Sequence, residues 1–201
     1  MDTREVTKMN FIKTLRQHQI ALFTTNDVRK IFSLNNDNTV KKLLVRLKKD
    51  NIIQRLVRDR YQFLLTAAPP HEFTVANFLI SPSYVSLESA LSFYRIIDQF
   101  PYRITSITVL KSSERNVNNK KYSYSKIRNN KFKDFIKIDD FLIATKEKAI
   151  FDYIYFVSKG LRPVNTLLDI KDHFGNKSIR NYLLKNSNTQ LLKFINKYVK
   201  L

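Results

Sequence analysis

The sequence predicts an α+β protein built as two domains. Three observations carry that prediction. Apolar residues recur at helical spacing in three segments before residue 50, and two short β-prone runs follow them. Ala67-Ala68-Pro69-Pro70 then interrupts regular structure, because each proline ring removes a donor and restrains its neighbour. Beyond it, β-branched runs and helical patterns are interspersed. The expected domains are residues 1–66 and 71–201, with net charges of +8 and +11, so the positive charge is spread over the chain rather than held in a tail.

Val6, Met9, Ile12 and Leu15 recur at helical spacing with charges between them, which predicts an amphipathic helix over residues 5–18. Thr24-Thr25-Asn26-Asp27 is a capping signature, and Val28, Ile31 and Phe32 supply the apolar face of the helix it opens. Ser33-Leu34-Asn35-Asn36-Asp37 is turn chemistry ending in good N-cap residues. A third helix is expected over residues 37–50, with Val40, Leu43, Leu44 and Leu47 as its buried stripe. The runs Ile52–Val57 and Tyr61–Leu65, joined by Arg58-Asp59-Arg60, read as a hairpin. Three helices and a short hairpin in this order make a winged helix-turn-helix.

The second domain is expected to open with a helix over residues 85–97, its apolar face formed by Leu87, Ala90, Leu91, Tyr94 and Ile97. Ile104–Leu110 is β-branched and strand-like, Tyr122–Ile127 alternates weakly, and Phe135–Ile143 has room for one or two more strands. Thr145 is placed to cap a helix running through Val157. The last forty residues read as shorter helices, with Leu191, Leu192, Ile195 and Val199 on one face.

Composition narrows the function. The 201 residues carry 36 Lys and Arg against 17 Asp and Glu, a formal charge of +19, which on a folded chain favours polyanionic partners. A hydrophobic share of 43% with 15 Phe and 10 Tyr is too high for a disordered basic tail. The absence of cysteine removes disulfides, thiolate metal sites and thiol nucleophiles. With only Gly160 and Gly175, no glycine-rich phosphate cradle can form. Met1-Asp2-Thr3-Arg4-Glu5 is unlike a signal peptide, and the most apolar stretch, Ala149–Val157, has an acid inside it and falls well short of the roughly 20 residues a bilayer span needs. A cytoplasmic protein without a membrane partner or a cofactor is expected.

The third helix carries the most information. At 100° per residue, the stripe Val40/Leu43/Leu44/Leu47 turns Asn38, Lys42, Val45, Arg46 and Lys49 to the opposite side, with Lys41 and Lys48 on one flank and Thr39 on the other. In a helix-turn-helix that side enters the major groove, where Asn pairs with adenine and Arg or Lys with guanine. Asn38, Thr39, Lys42, Arg46 and Lys49 are the candidate base readers. Lys41 and Lys48, with Arg58 and Arg60 at the hairpin tip, are candidate phosphate contacts. The alternative is an ordinary solvated helix face.

A second basic cluster holds Lys111, Arg115, Lys120, Lys121, Lys126, Arg128, Lys131 and Lys133 against Glu114 alone, with Tyr122, Tyr124 and Phe132 interleaved. Such a pattern suits either an RNA-binding segment that clamps a strand by charge and stacking, or a charged hairpin whose aromatics point into the core. His18, His71 and His173 are too far apart in sequence for a metal pair. Asp139-Asp140 with Glu147-Lys148 is the one arrangement that suggests a nuclease, and its spacing is loose. Glu88 and Asp152 are expected to pair with cations or cap loops. No catalytic residue is assigned, and an enzyme is not expected.

Four segments in order carry a resemblance to a known family: Phe23-Thr24-Thr25-Asn26-Asp27-Val28; Tyr84-Val85-Ser86-Leu87-Glu88-Ser89-Ala90-Leu91-Ser92-Phe93-Tyr94; Ile104–Val109 with Arg115 following; and Ile143-Ala144-Thr145-Lys146-Glu147-Lys148-Ala149-Ile150-Phe151-Asp152. Across residues 20–157 the chain resembles the AbiEi antitoxins, regulators in type IV toxin–antitoxin (abortive infection, phage defence) systems. The resemblance implies that the winged helix binds inverted repeats in its own promoter as double-stranded DNA and represses transcription. It further implies that the second domain counters a cognate nucleotidyltransferase toxin without a stable complex. The toxin's own Gly-Ser…Asp-x-Asp signature is absent, because Gly160 precedes Leu161 and Gly175 precedes Asn176. Two positions depart from the family pattern: Lys146 replaces a usual proline, and Arg58-Asp59-Arg60 replaces a glycine-bearing tip.

Overall fold

Thr7, Thr24 and Asn36 each start a helix in the same way. A side-chain oxygen accepts a hydrogen bond from a first-turn N–H that has no partner within the helix. The computed structural model describes residues 6–98 and 101–198. In it these caps open α1 (Lys8–Gln17), α2 (Thr25–Phe32) and α3 (Asp37–Lys49). At α2 the cap is reciprocal: Asp27 N–H donates to Thr24 Oγ1 at 3.1 Å, and Thr24 N–H donates to the Asp27 carboxylate at 2.7 Å. Ser33, left-handed at φ 52°, ends α2, and the Arg29–Asp37 ion pair at 2.6 Å spans the turn into α3. The strands β1 (Leu22–Thr24), β2 (Ile53–Val57) and β3 (Arg60–Phe63) form an antiparallel sheet in the order β1-β3-β2. The three-residue β1 was not foreseen. Only its pairing with β3 distinguishes it from a loop.

The core of this unit is apolar throughout: Val6, Phe11, Leu15, Phe23, Val28, Val40, Leu43, Leu44, Leu47, Ile52, Ile53 and Phe63. Phe11 stacks on Phe32 at 5.2 Å and meets Phe23 edge-on at 5.8 Å. The buried face of α1 is therefore Val6/Phe11/Leu15, and Met9, expected to be buried, is 73% exposed. The larger apolar ring at position 11 rotates the helix toward itself. The readings that involve Met1–Glu5 and Val199 lie outside the described residues.

The chain divides into units Met1–Leu79 and Ile80–Leu201, so the helix α4 (Glu72–Leu79) that follows Pro69-Pro70 belongs with the first. The Arg60 guanidinium lies 5.0 Å from the centre of the Phe78 ring. A proline pair stops local hydrogen bonding without deciding where the chain packs next.

The second unit is built on a six-stranded sheet in the order β6-β7-β5-β4-β9-β8, formed by β4 (Ser83–Val85), β5 (Arg103–Thr108), β6 (Ser113–Val117), β7 (Lys120–Lys126), β8 (Phe135–Ile138) and β9 (Phe141–Ala144). β4 pairs antiparallel to β5 and parallel to β9, and β5 runs parallel to β7. The expected helix over 85–97 is corrected. Ser83-Tyr84-Val85 is a central strand, and α5 spans only Leu87–Phe93. Val85 is drawn into the sheet between Ser106 and Ile143, and sheet pairing there overrides the helical period of the residues that follow. Arg95, left-handed at φ 54°, lies just past the helix end. α6 (Lys146–Ser158) starts at the Thr145 cap, whose Oγ1 accepts from Lys148 N–H, with Lys146 in place of proline. α7 (Thr166–Ile170), α8 (Lys177–Asn186) and α9 (Thr189–Tyr198) follow, and α6 packs against α5, α8 and α9.

Candidate nucleic-acid interface

On α3 the leucine ridge is buried, and Asn38, Thr39, Lys41, Lys42, Val45, Arg46, Lys48 and Lys49 are all exposed. Arg46, Lys48 and Lys49 fall in the last turn, where cations complement the helix dipole and stabilise the same segment that presents them. Arg46 is committed within the unit: its guanidinium donates to the Val6 carbonyl at 2.9 Å. Lys8 and Asp50 pair at 2.7 Å and tie α1 to the end of α3. Asn38, Lys42 and Lys49 are exposed on the same helix. No signal in the sequence separates Arg46 from them, since its partner is a main-chain oxygen forty residues away.

Beside the start of α2, an open depression of about 500 Å³ is lined by Thr24, Thr25, Asn26, Arg29, Arg58, Asp59 and Arg60. The hairpin tip is tied to the start of α2. Thr25 N–H donates to the Asp59 carbonyl at 3.2 Å, and the Thr25 hydroxyl donates to the Asp59 carboxylate at 3.3 Å. Asp59 adopts the left-handed φ of 59° that glycine would accept without cost, and these two bonds hold it there. The two arginines at the tip differ. The Arg58 side chain is 90% exposed, and Arg60 is half-buried over Phe78.

The second basic cluster is not one patch. Lys126 N–H bonds to Ser112 at 2.9 Å, so Lys111 and Lys126 share one end of the β6–β7 hairpin, and Lys120 and Lys121 lie at the other. The five residue steps of strand from Lys121 to Lys126 separate the groups by about 17 Å. Lys111, Lys121, Lys126, Arg128 and Lys133 are exposed; Arg115, Lys120 and Lys131 are half-buried. Tyr122 and Tyr124 are in the core, and Phe132 is half-buried against Tyr84 at 5.0 Å and Phe135 at 5.3 Å. The aromatics thus follow the hairpin-with-core reading and offer no run of open stacking faces.

The acids fall as expected for Glu88 and Asp152. Glu88 pairs with Arg162 at 2.9 Å, and the buried Asp152 pairs with the buried Lys148 on the next turn of α6. Tyr84 and Ser86 hydroxyls donate to the other Asp152 oxygen at 3.0 and 2.9 Å. Burial pushes the Asp152 carboxyl above the usual carboxylate range, opposed by Lys148 and the two hydroxyls, and burial beside that carboxylate holds the Tyr84 phenol well up. Burial, with Lys148 nearby, lowers the Lys131 ammonium. Asp139 and Asp140 are not in a strand. They are exposed in the β8–β9 turn, while Lys148 is buried against Asp152. Among the described residues no group of three His, Asp or Glu side chains gathers as metal ligands, and no helix is long and apolar enough to cross a membrane. The search found no protein-family model that matches the chain and no curated protein that matches it.

Proposed function

We propose that the chain is a DNA-binding antitoxin of AbiEi type, whose first unit is a winged helix that represses its own promoter and whose second unit counters a nucleotidyltransferase toxin. The carrying observation is the outward face of α3, where Asn38, Lys42 and Lys49 stand exposed over a ridge of four buried aliphatics. The order α1-β1-α2-α3-β2-β3, with β1 completing the hairpin sheet, supports the winged-helix reading. Arg58, its side chain 90% exposed beside the start of α2, adds a cation at the same unit's open depression, where phosphates would set register without reading sequence. The dispersed cations of residues 111–133 support the clamping of a single strand less well, because Tyr122 and Tyr124 are inside the core.

The test is a footprint on the DNA upstream of the chain's own gene, with affinity measured against salt. Protection of an inverted repeat is expected, and neutralising about six phosphates would lower affinity about a thousandfold between about 50 and 200 mM salt. No protection, together with equal affinity for unrelated DNA, overturns the repressor. The antitoxin half is tested separately by co-expression with a nucleotidyltransferase encoded beside it, where growth should be restored.

A further inference from the structure

Val45 is out of place on α3. It is 69% exposed, against 44% for Ile136 and 37% for Val164, the other exposed valine and isoleucine residues among the described residues. At 100° per residue, Asn38, Lys42 and Lys49 fall within about 60° of it around the axis, so it stands in the middle of the polar face. Lys41, Arg46 and Lys48 flank that stripe, and all six neighbours are exposed. A solvated helix face gains nothing from valine, which is a weaker helix former than the lysines around it and leaves its methyls in water. An apolar group ringed by cations fits a polyanion that carries an apolar group of its own. In duplex DNA the major groove supplies one, the C5-methyl of thymine.

We propose that Val45 is a specificity-determining residue that packs on a thymine methyl and distinguishes thymine from bases without that methyl at one position of the site. The proposal rests on the reading of α3 as the groove-entering helix. It adds a contact that carries no hydrogen bond and no charge. Removing one methyl from such a contact costs about 0.8 kcal/mol, or about fourfold in affinity.

The probe is a pool of synthetic duplexes with a random centre, enriched on the full-length protein. Each thymine of the recovered sequence is then replaced singly by deoxyuridine, which removes the methyl and leaves every hydrogen-bonding group. With the wild-type chain, one replacement should weaken binding about fourfold. With Val45→Ala that penalty should vanish, while the salt dependence and the other positions stay unchanged. If a sequence is enriched but no uracil replacement matters, or Val45→Ala keeps the same penalty, the Val45 assignment is overturned and DNA recognition stands. If nothing is enriched, the DNA-binding reading fails and takes this proposal with it.

Discussion

The two units treat lysine in opposite ways. In Met1–Leu79 the core is wholly apolar and every lysine of the described residues is at the surface. In Ile80–Leu201 a lysine is fully enclosed: Lys148 is buried against Asp152, in a layer that also buries Ser86, Ser89, Thr105, Ser106 and Thr108. Ser89 and Thr105 there exchange hydrogen bonds at 2.8–3.0 Å between α5 and β5. The contrast shows that the net charge of +19 is not a single property. Lys42 and Lys49 on α3 are exposed to solvent, whereas the Lys148 charge is consumed inside the fold. A buried pair of this kind is costly to half-remove and adds little over an apolar pair of the same shape.

The same substitution made in both units is the sharpest way to break this comparison. Lys148→Met strands the Asp152 carboxylate and should destabilise the chain by about 3–5 kcal/mol, read by urea unfolding. Adding Asp152→Leu should recover most of that loss. If the single variant unfolds like wild type, the pair is not an enclosed one. Next in size, Leu47→Ala in the dry core should cost about 2–5 kcal/mol, with the spread set by how far Phe11 and Val40 can relax into the space. Lys42→Met should leave stability within about 0.5 kcal/mol and reduce operator affinity by about 1–3 kcal/mol in a binding titration. Equal losses in folding and binding would place Lys42 in the structure rather than at the interface. The smallest effect is at the α2 cap: Thr24→Ala should cost about 1 kcal/mol of thermal stability, since Asp27 N–H then loses its acceptor. No measurable change there would mean that water replaces the hydroxyl.

Much of the first unit was legible because its rules are local. Thr24 and Asp27 are three residues apart and make the capping box themselves, and the stripe Val40/Leu43/Leu44/Leu47 defines both the buried and the exposed face of α3. Met9 and Phe11 show the limit: both fit an amphipathic helix, and the partners Phe23 and Phe32 decided which was buried. The second unit was less legible because its central strand is three residues long. Ser83-Tyr84-Val85 acquires its identity only from β5 and β9, which arrive much later in the chain. The basic run 111–133 reads as one patch on paper and becomes two groups once β6 and β7 fold back on each other.

The sequence by itself determined α1, α2, α3 and α6, the caps at Thr24 and Thr145, the outward polar face of residues 37–49 and the pairing of Asp152 with a cation, because spacing of three to four residues brings those groups together within one helix. Tertiary structure alone decided that Arg46 is braced to Val6, that Arg60 lies over Phe78 while Arg58 does not, and that Tyr122 and Tyr124 are enclosed. Each of those outcomes depends on a partner distant in the chain, and side-chain periodicity carries no information about which distant segment will come to rest there.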